Sequence, residues 1–378
     1  MGKRFNINGL CIPDLHYMVN ISEKLLEIKS FIEQGEYFVI NRARQYGKTT
    51  TLNMLERELS DQYMVFSISF EGMTKYTYED EDTFCKAICG LIYDTIDYGE
   101  VTGVPDCVKE ECRNMSQADG RKVDFRSLSN FISLLCKEAG RPVILMIDEV
   151  DQAGNQEMFL SFLGMLRNKY LKRGTRPTFQ SVILAGVYDI KNLKLKIRPS
   201  EEHQYNSPWN IAAEFNVDMS FSKQEIAGML KEYEQEHHTG MDIKTIAEMI
   251  YAYTAGYPFL VSYICKKIDE DISGRKEYPD QAAAWTKNGV LEAIKLLIKG
   301  PNTLYDDMIK HVIEYPDLYA MLHNILFKGE EYQYHEYDKA VNIGKMFGFI
   351  IDNHGTVAVA NRIFETQLYS YFNIKELR

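Results

Sequence analysis

The chain has 378 residues, 45% of them apolar, enough to bury a large core and to form two or three domains. A formal charge of −11 and a pI near 5.4 give no global electrostatic case for nucleic-acid binding and leave only local basic patches. No window approaches the roughly 18 apolar residues of a membrane span. The opening MGKRFNINGL has neither the apolar core nor the small-residue cleavage site of a signal peptide, and Asn6 stands where a myristoylation signal needs Ser or Thr. Seven scattered cysteines, an odd number, fit reduced thiols in a cytoplasm. Cys85/Cys89 and Cys107/Cys112 have the wrong spacing for a common zinc site, and the first pair lies in helix-like sequence, so packing is the expected role.

Residues 1–36 read as a lead-in carrying Pro13, His16 and Tyr17, then a helix over Ser22 to Gln34 with Ser22 as N-cap and Gly35 as stop. The lead-in either lies near a bound base or covers a sheet edge. An apolar run, Tyr37 to Ile40, gives way to a polar loop, then Gly47-Lys48-Thr49 and a helical spacing of Leu52, Leu55 and Leu59. Strand, loop, GKT and helix is the layout of a phosphate-binding P-loop. Backbone N–H groups and the helix N-terminus face an anion, the Lys reaches the terminal phosphates and the hydroxyl holds Mg²⁺. The pattern wants glycine five residues before Gly47, where this chain has Arg42, so the loop needs support from a second site.

Met64 to Phe70 reads as a buried strand, and residues 82–137 as helices broken by YGEVTGVPDC and QADGRK. VILMIDEVD then runs apolar into acid, as in a strand covered on both faces. A helix over Gln156 to Leu171, a basic turn, a strand over Gln180 to Val187 and a short last strand ending at Met219 complete the pattern. Strands alternating with helices predict a parallel α/β sandwich. Ser222-Lys-Gln-Glu225 is a capping box opening a helix to about His237. Asp242–Tyr253 is a second helix, and Pro258 opens a third running to about Asp271. Gly300-Pro301 marks a boundary. Helices near Thr303–Tyr315, Asp317–Phe327 and Tyr337–Met346 precede a hairpin turning at Asn353-His354-Gly355 and a last helix over Ile363–Phe372, the pattern of a winged helix. The expected division is 1–220, 221–299 and 300–378.

Asp148-Glu149 supplies the second site. An acid at a carboxyl strand end faces the crevice where α/β sheets bind ligands. Asp148 there holds Mg²⁺, and Glu149 polarises the attacking water. A GTP-type NKxD motif is absent, because Asn168-Lys169 is followed by Tyr-Leu.

The segments NRARQYGKTT, VILMIDEVD, LAGVYDIKNL, NSPWNIA, TAGYPFL and ANRIFETQLYSYF together resemble the AAA-like P-loop ATPases related to the archaeal-ATPase and STAND group. The resemblance spans nearly the whole chain and implies a three-layer P-loop NTPase domain, a helical lid and a winged helix. It implies ATP and Mg²⁺ as ligands, and it makes the nucleotide-binding stretch Arg42, Ala43, Arg44, Gln45, Tyr46, Gly47, Lys48, Thr49 and Thr50. Within that group an Arg at the Arg42 position is a familiar variant. Lys48 and Glu149 take the catalytic roles, and Thr49 and Asp148 the metal role. Gly256-Tyr257-Pro258 matches the GxP motif that sets the lid against the base or ribose, and Tyr188 or Asp189 follows the sensor strand. Arg167, Arg173, Arg176 and Arg198 are candidates for an arginine that stabilises the transferred phosphoryl group, in cis or from a neighbouring subunit. Arg42 and Arg44 either touch phosphate or, for Arg44, pair with an acid that holds the loop's shape.

Residues 301–378 carry seven Lys and Arg against eleven Asp and Glu, a formal charge of −4. Phosphate contacts need converging cations, so Tyr332, Tyr334 and Tyr337 point to a core or a protein interface rather than to a DNA reader. The expected function is an ATP-driven conformational switch with a protein partner, oligomeric or not. The alternatives are a nucleotide-stabilised scaffold and an ATP-dependent DNA-binding protein, both with little turnover.

Overall fold

The computed structural model describes residues 2–117, 120, 122–153, 156–187 and 208–376. The chain divides into two compact units, one made of Glu23–Asn41 with Thr51–Val217, the other of Met1–Ser22, Arg42–Thr50 and Asp218–Arg378.

The first unit holds a parallel sheet of β1 (Phe38–Asn41), β2 (Met64–Ser69), β3 (Val143–Asp148) and β4 (Ser181–Gly186), in the order β1-β4-β3-β2. The two central strands are buried at every residue, which is why VILMID and SVILAG read as continuous apolar runs without alternation. Around them lie α1 (Ser22–Glu33), α2 (Lys48–Leu59), α3 (Glu81–Asp97), α4 (Asp106–Ser116), α5 (Phe125–Glu138) and α6 (Glu157–Leu171). Asp80 and Asp124 start α3 and α5 by accepting the N–H of Thr83 and Ser127, which satisfies backbone donors that a helix start leaves open. Cys85 and Cys89 sit on the buried face of α3 among Phe84, Ile88 and Ile92, and the Cys112 thiol meets the Cys89 carbonyl at 3.2 Å. Burial pushes all three thiols upward, as expected of packing residues.

The expected last strand is not formed. Phe215, Val217 and Met219 are buried in alternation, yet among the described residues the segment is assigned one bridge, Ala213 opposite Phe38 of β1, and no strand. Alternation records which side chains are covered, whereas a strand also needs a partner's edge along its length.

The second unit is mainly helical. α7 (Lys223–His237) opens on the capping box, with Ser222 Oγ accepting the Glu225 N–H and the Glu225 carboxylate accepting the Ser222 N–H at 2.6 Å. α8 (Ile243–Thr254), α9 (Pro258–Lys266, continued by a π-type turn to Ile272) and α10 (Lys287–Lys299) follow. Next come α11 (Thr303–Glu314), α12 (Pro316–His323), α13 (Lys339–Met346), the antiparallel pair β5 (Ile350–Asn353) and β6 (Thr356–Val359), and α14 (Arg362–Glu376). His354 and Gly355 take the positive φ that a tight hairpin requires. The lead-in packs in this unit: Phe5 and Tyr17 join Tyr233 and Trp285 in one aromatic cluster, and the Tyr17 hydroxyl donates to Glu236 at 2.5 Å. Tyr332 hydrogen-bonds Asn324 and Glu330, while Tyr337 is fully exposed. Among the described residues no helix is long and apolar enough to cross a membrane.

Candidate phosphate-binding site

Because the strands are parallel and in register, their carboxyl ends share one edge of the sheet. Asn41 ends β1 there, paired with Gly186, and Asp148 ends β3, level with Ser69. Asp148 is 7% exposed, and its Oδ1 accepts the Glu149 N–H at 2.8 Å. Glu149 has φ +54, a left-handed conformation that costs a side-chain-bearing residue about 1 kcal/mol. Strain of this kind gathers at functional sites. It turns the chain out of the strand into a 3-10 turn over Val150–Ala153.

Asp151, to which the sequence reading assigns no role, anchors that turn. Its Oδ2 accepts the Val187 N–H at 2.6 Å, which ties the segment after Glu149 to the end of β4. Gly186 makes room for it, since a Cβ there would lie 2.8 Å from Val150 and 2.9 Å from the Asp151 carboxylate. The available signal was the third acid in DEVD. Tyr188, Asp189 and Arg198 lie outside the described residues.

The loop Arg42–Gly47 belongs to the second unit. Gln45 and Gly47 have φ +58 and +78. Alternating left- and right-handed residues aim successive N–H groups toward one side, a concavity suited to phosphate oxygens. Lys48, the first residue of α2, is 8% exposed, and its Nζ donates to the carbonyls of Arg42 at 3.0 Å and Ala43 at 3.1 Å. A buried ammonium needs such acceptors, and here the loop's own backbone supplies them. Thr49 is exposed, while the Thr50 hydroxyl accepts the Cys11 N–H at 3.3 Å, so the lead-in meets the first turn of α2. Burial lowers the Arg42 pKa, and Tyr46 and Asp218 pull it back up. Tyr46 is pushed up to about 12, first by its own burial and then by Asp218.

The GxP segment reaches the same loop. Gly256 has φ +75, and a Cβ there would come 2.0 Å from the Phe221 carbonyl, whose own N–H donates to Gly256 O at 2.8 Å; only glycine fits. Pro258 opens α9. Between them Tyr257, 3% exposed, donates its hydroxyl to the Arg44 carbonyl at 2.6 Å and meets the Tyr46 ring edge-on at 4.7 Å. Burial raises its pKa well above the usual tyrosine value, so it stays a donor. The Arg44 guanidinium lies 3.9 Å from Asp307, the acid-paired alternative for that residue.

Arg173 and Arg176 lie in the turn that leads into the amino end of β4, the edge opposite Asp148. Arg173 caps the Tyr170 ring at 3.8 Å and donates to the Tyr170 carbonyl. Neither is brought to the acid pair of its own sheet. Arg167 sits on α6 with a buried Nε.

The family model for the AAA-like domain matches residues 17–289. Among solved structures, the Walker-type ATPase of Pyrococcus abyssi is similar at a TM-score of 0.63 and 13% identity, over 97% of this chain and 99% of that one. The ORC2 protein of Aeropyrum pernix, solved in ADPNP–ADP complexes, is similar at 0.50 and 11%, over 98% of each chain. At such identities the likeness is one of fold. No curated protein matches the sequence. With a parallel sheet, a strand–loop–helix P-loop, a helical C-terminal part and a family model that covers well over half of its length, this chain belongs to the AAA-like domain family of P-loop ATPases.

Proposed function

We propose that the chain binds ATP with Mg²⁺, hydrolyses it slowly, and uses the cycle to move its helical C-terminal part between two arrangements. The observation that carries this reading is the loop: Gln45 and Gly47 at positive φ, between β1 and α2, with the Lys48 ammonium gathered onto the loop's carbonyls. In use, Lys48 trades those carbonyls for the terminal phosphate oxygens, which accept a charged donor more strongly. Arg42, Ala43, Arg44, Gln45, Tyr46, Gly47 and Thr50 form the phosphate cradle and its walls. Tyr257 and Pro258 keep the lid against it.

The donor set suits Mg²⁺, since the Thr49 hydroxyl and the Asp148 carboxylate are hard oxygen ligands. The ion would neutralise charge on the phosphates. Glu149 polarises the attacking water. Residues 300–378 are read as a winged helix that contacts protein; their charge of −4 supports that over DNA.

The deciding experiment is phosphate release from Mg-ATP by the wild type and Glu149→Gln. We expect wild-type turnover, and a fall of about 100-fold in the variant with binding retained. Binding without Glu149-dependent release would instead make the protein a nucleotide-stabilised scaffold.

A further inference from the structure

The two edges of the small C-terminal sheet differ. Residues 332–334 cover the β6 side: Tyr334 N–H donates to the Gly355 carbonyl and Val357 N–H to the Tyr332 carbonyl, each at 2.8 Å, and Gln333 bridges Thr356. Among the described residues no strand pairs with the outer side of β5. Opposed residues of an antiparallel pair alternate between exchanging hydrogen bonds and pointing them away from each other. Val357 donates away from β5, so its partner Asp352 likewise points its own N–H and carbonyl away from β6. Ile351, Asp352 and Asn353 are all exposed, which leaves that edge open along most of its length.

The charge around this edge has one sign. Residues 330–353 carry Glu330, Glu331, Glu336, Asp338 and Asp352 against Lys339 and Lys345, and Lys345 is already paired with Glu336. Burial raises the Tyr334 pKa, Lys345 opposes, and Glu336 and Asp352 add to it, so both acids lie within electrostatic reach of one ring. A second copy of this chain would bring the same acids against each other, and like charge on an open edge works against self-pairing. A cationic strand meets no such penalty.

We propose that the outer edge of β5 takes up an extended, lysine- or arginine-rich segment of a partner protein as an added strand. Main-chain pairing at Asp352 sets its register, Ile351 gives an apolar contact, and Asp352 with Glu336 selects for positive charge. The proposal rests on the reading of residues 300–378 as a protein-contacting module and adds the chemistry of the partner.

The test uses the full chain and a fluorescein-labelled peptide of alternating Lys and Val, with Glu replacing Lys in a control peptide. Fluorescence anisotropy is expected to show the Lys peptide binding at least about tenfold more tightly than the Glu peptide. Asp352→Asn with Glu336→Gln removes both charges and leaves an acceptor for the Gly355 N–H that Asp352 now holds at 2.7 Å; it should weaken the Lys peptide by about fivefold. In the wild type, exchange of the outward Asp352 amide should slow by roughly tenfold at saturating Lys peptide. That readout separates an added strand from loose electrostatic adhesion. Lys-peptide binding that leaves the Asp352 amide unprotected, or no binding of that peptide, overturns the edge and leaves the protein-contact reading standing. Protection that grows with the concentration of the chain alone assigns the edge to a second copy and overturns the cationic partner. Protection by duplex DNA overturns the protein-contact reading along with the proposal.

Discussion

Asp148 stands at the end of a strand paired on both sides, whereas the loop Arg42–Gly47 takes a hydroxyl from Tyr257, 213 residues along the chain. The acid's backbone is fixed by a hydrogen-bond ladder that any apolar strand in register would supply. The loop has no ladder; its shape rests on two left-handed residues and on contacts with Tyr257, Asp307 and Gly348. The backbone at the strand end is therefore robust to changes elsewhere, and the loop is open to influence from remote residues of its own unit.

The sharpest way to break this contrast is at its chemistry. Lys48→Ala removes the loop's buried cation and should weaken ATP binding by at least about 100-fold, measured by titration calorimetry, with the fold intact by circular dichroism. Next comes the tie behind the acids. Asp151→Ala strands the Val187 N–H and should cost about 2 kcal/mol in urea unfolding, with slower phosphate release because Glu149 loses its anchored turn. On the loop side, Tyr257→Phe deletes one hydroxyl and should cost about 1 kcal/mol of stability, with a several-fold weaker ATP affinity. If Asp151→Ala weakened binding more than Tyr257→Phe did, the contrast between the strand end and the loop would be wrong.

The smallest effect is pH-linked. Hydrogen bonding from His311, then the Arg44 charge, holds the Asp307 carboxyl below its usual range, with burial opposing. A depressed carboxyl pKa stabilises the fold above the unfolded value and is lost as pH falls through the folded value. Wild type and Asp307→Asn should therefore differ by about 0.5 kcal/mol near neutral pH and converge as acid protonates Asp307 in the folded chain, followed by urea unfolding.

Much of this was legible in the sequence, because the signals are local. Continuous apolar runs marked β3 and β4, and capping residues marked α7 and α8, while GKT and a distant Asp-Glu marked a candidate phosphate site. Family resemblance added the GxP turn. The expected strand before Met219 is replaced by a single bridge at Ala213, because alternating burial reports which side chains are covered and not whether a ladder forms.

What the sequence alone determined was which residues carry charge and which runs must be buried, since hydrophobic periodicity and capping act over a few residues. What only the tertiary structure decided was what holds the loop: Tyr257 on the Arg44 carbonyl, Asp307 on its guanidinium, Gly348 against Ala43, and Asp151 on the Val187 N–H. Each joins positions tens to hundreds of residues apart through a single hydroxyl, carboxylate or missing methyl. No periodicity announces such a contact, because its partner is chosen by the folded chain's geometry and not by its neighbours in sequence.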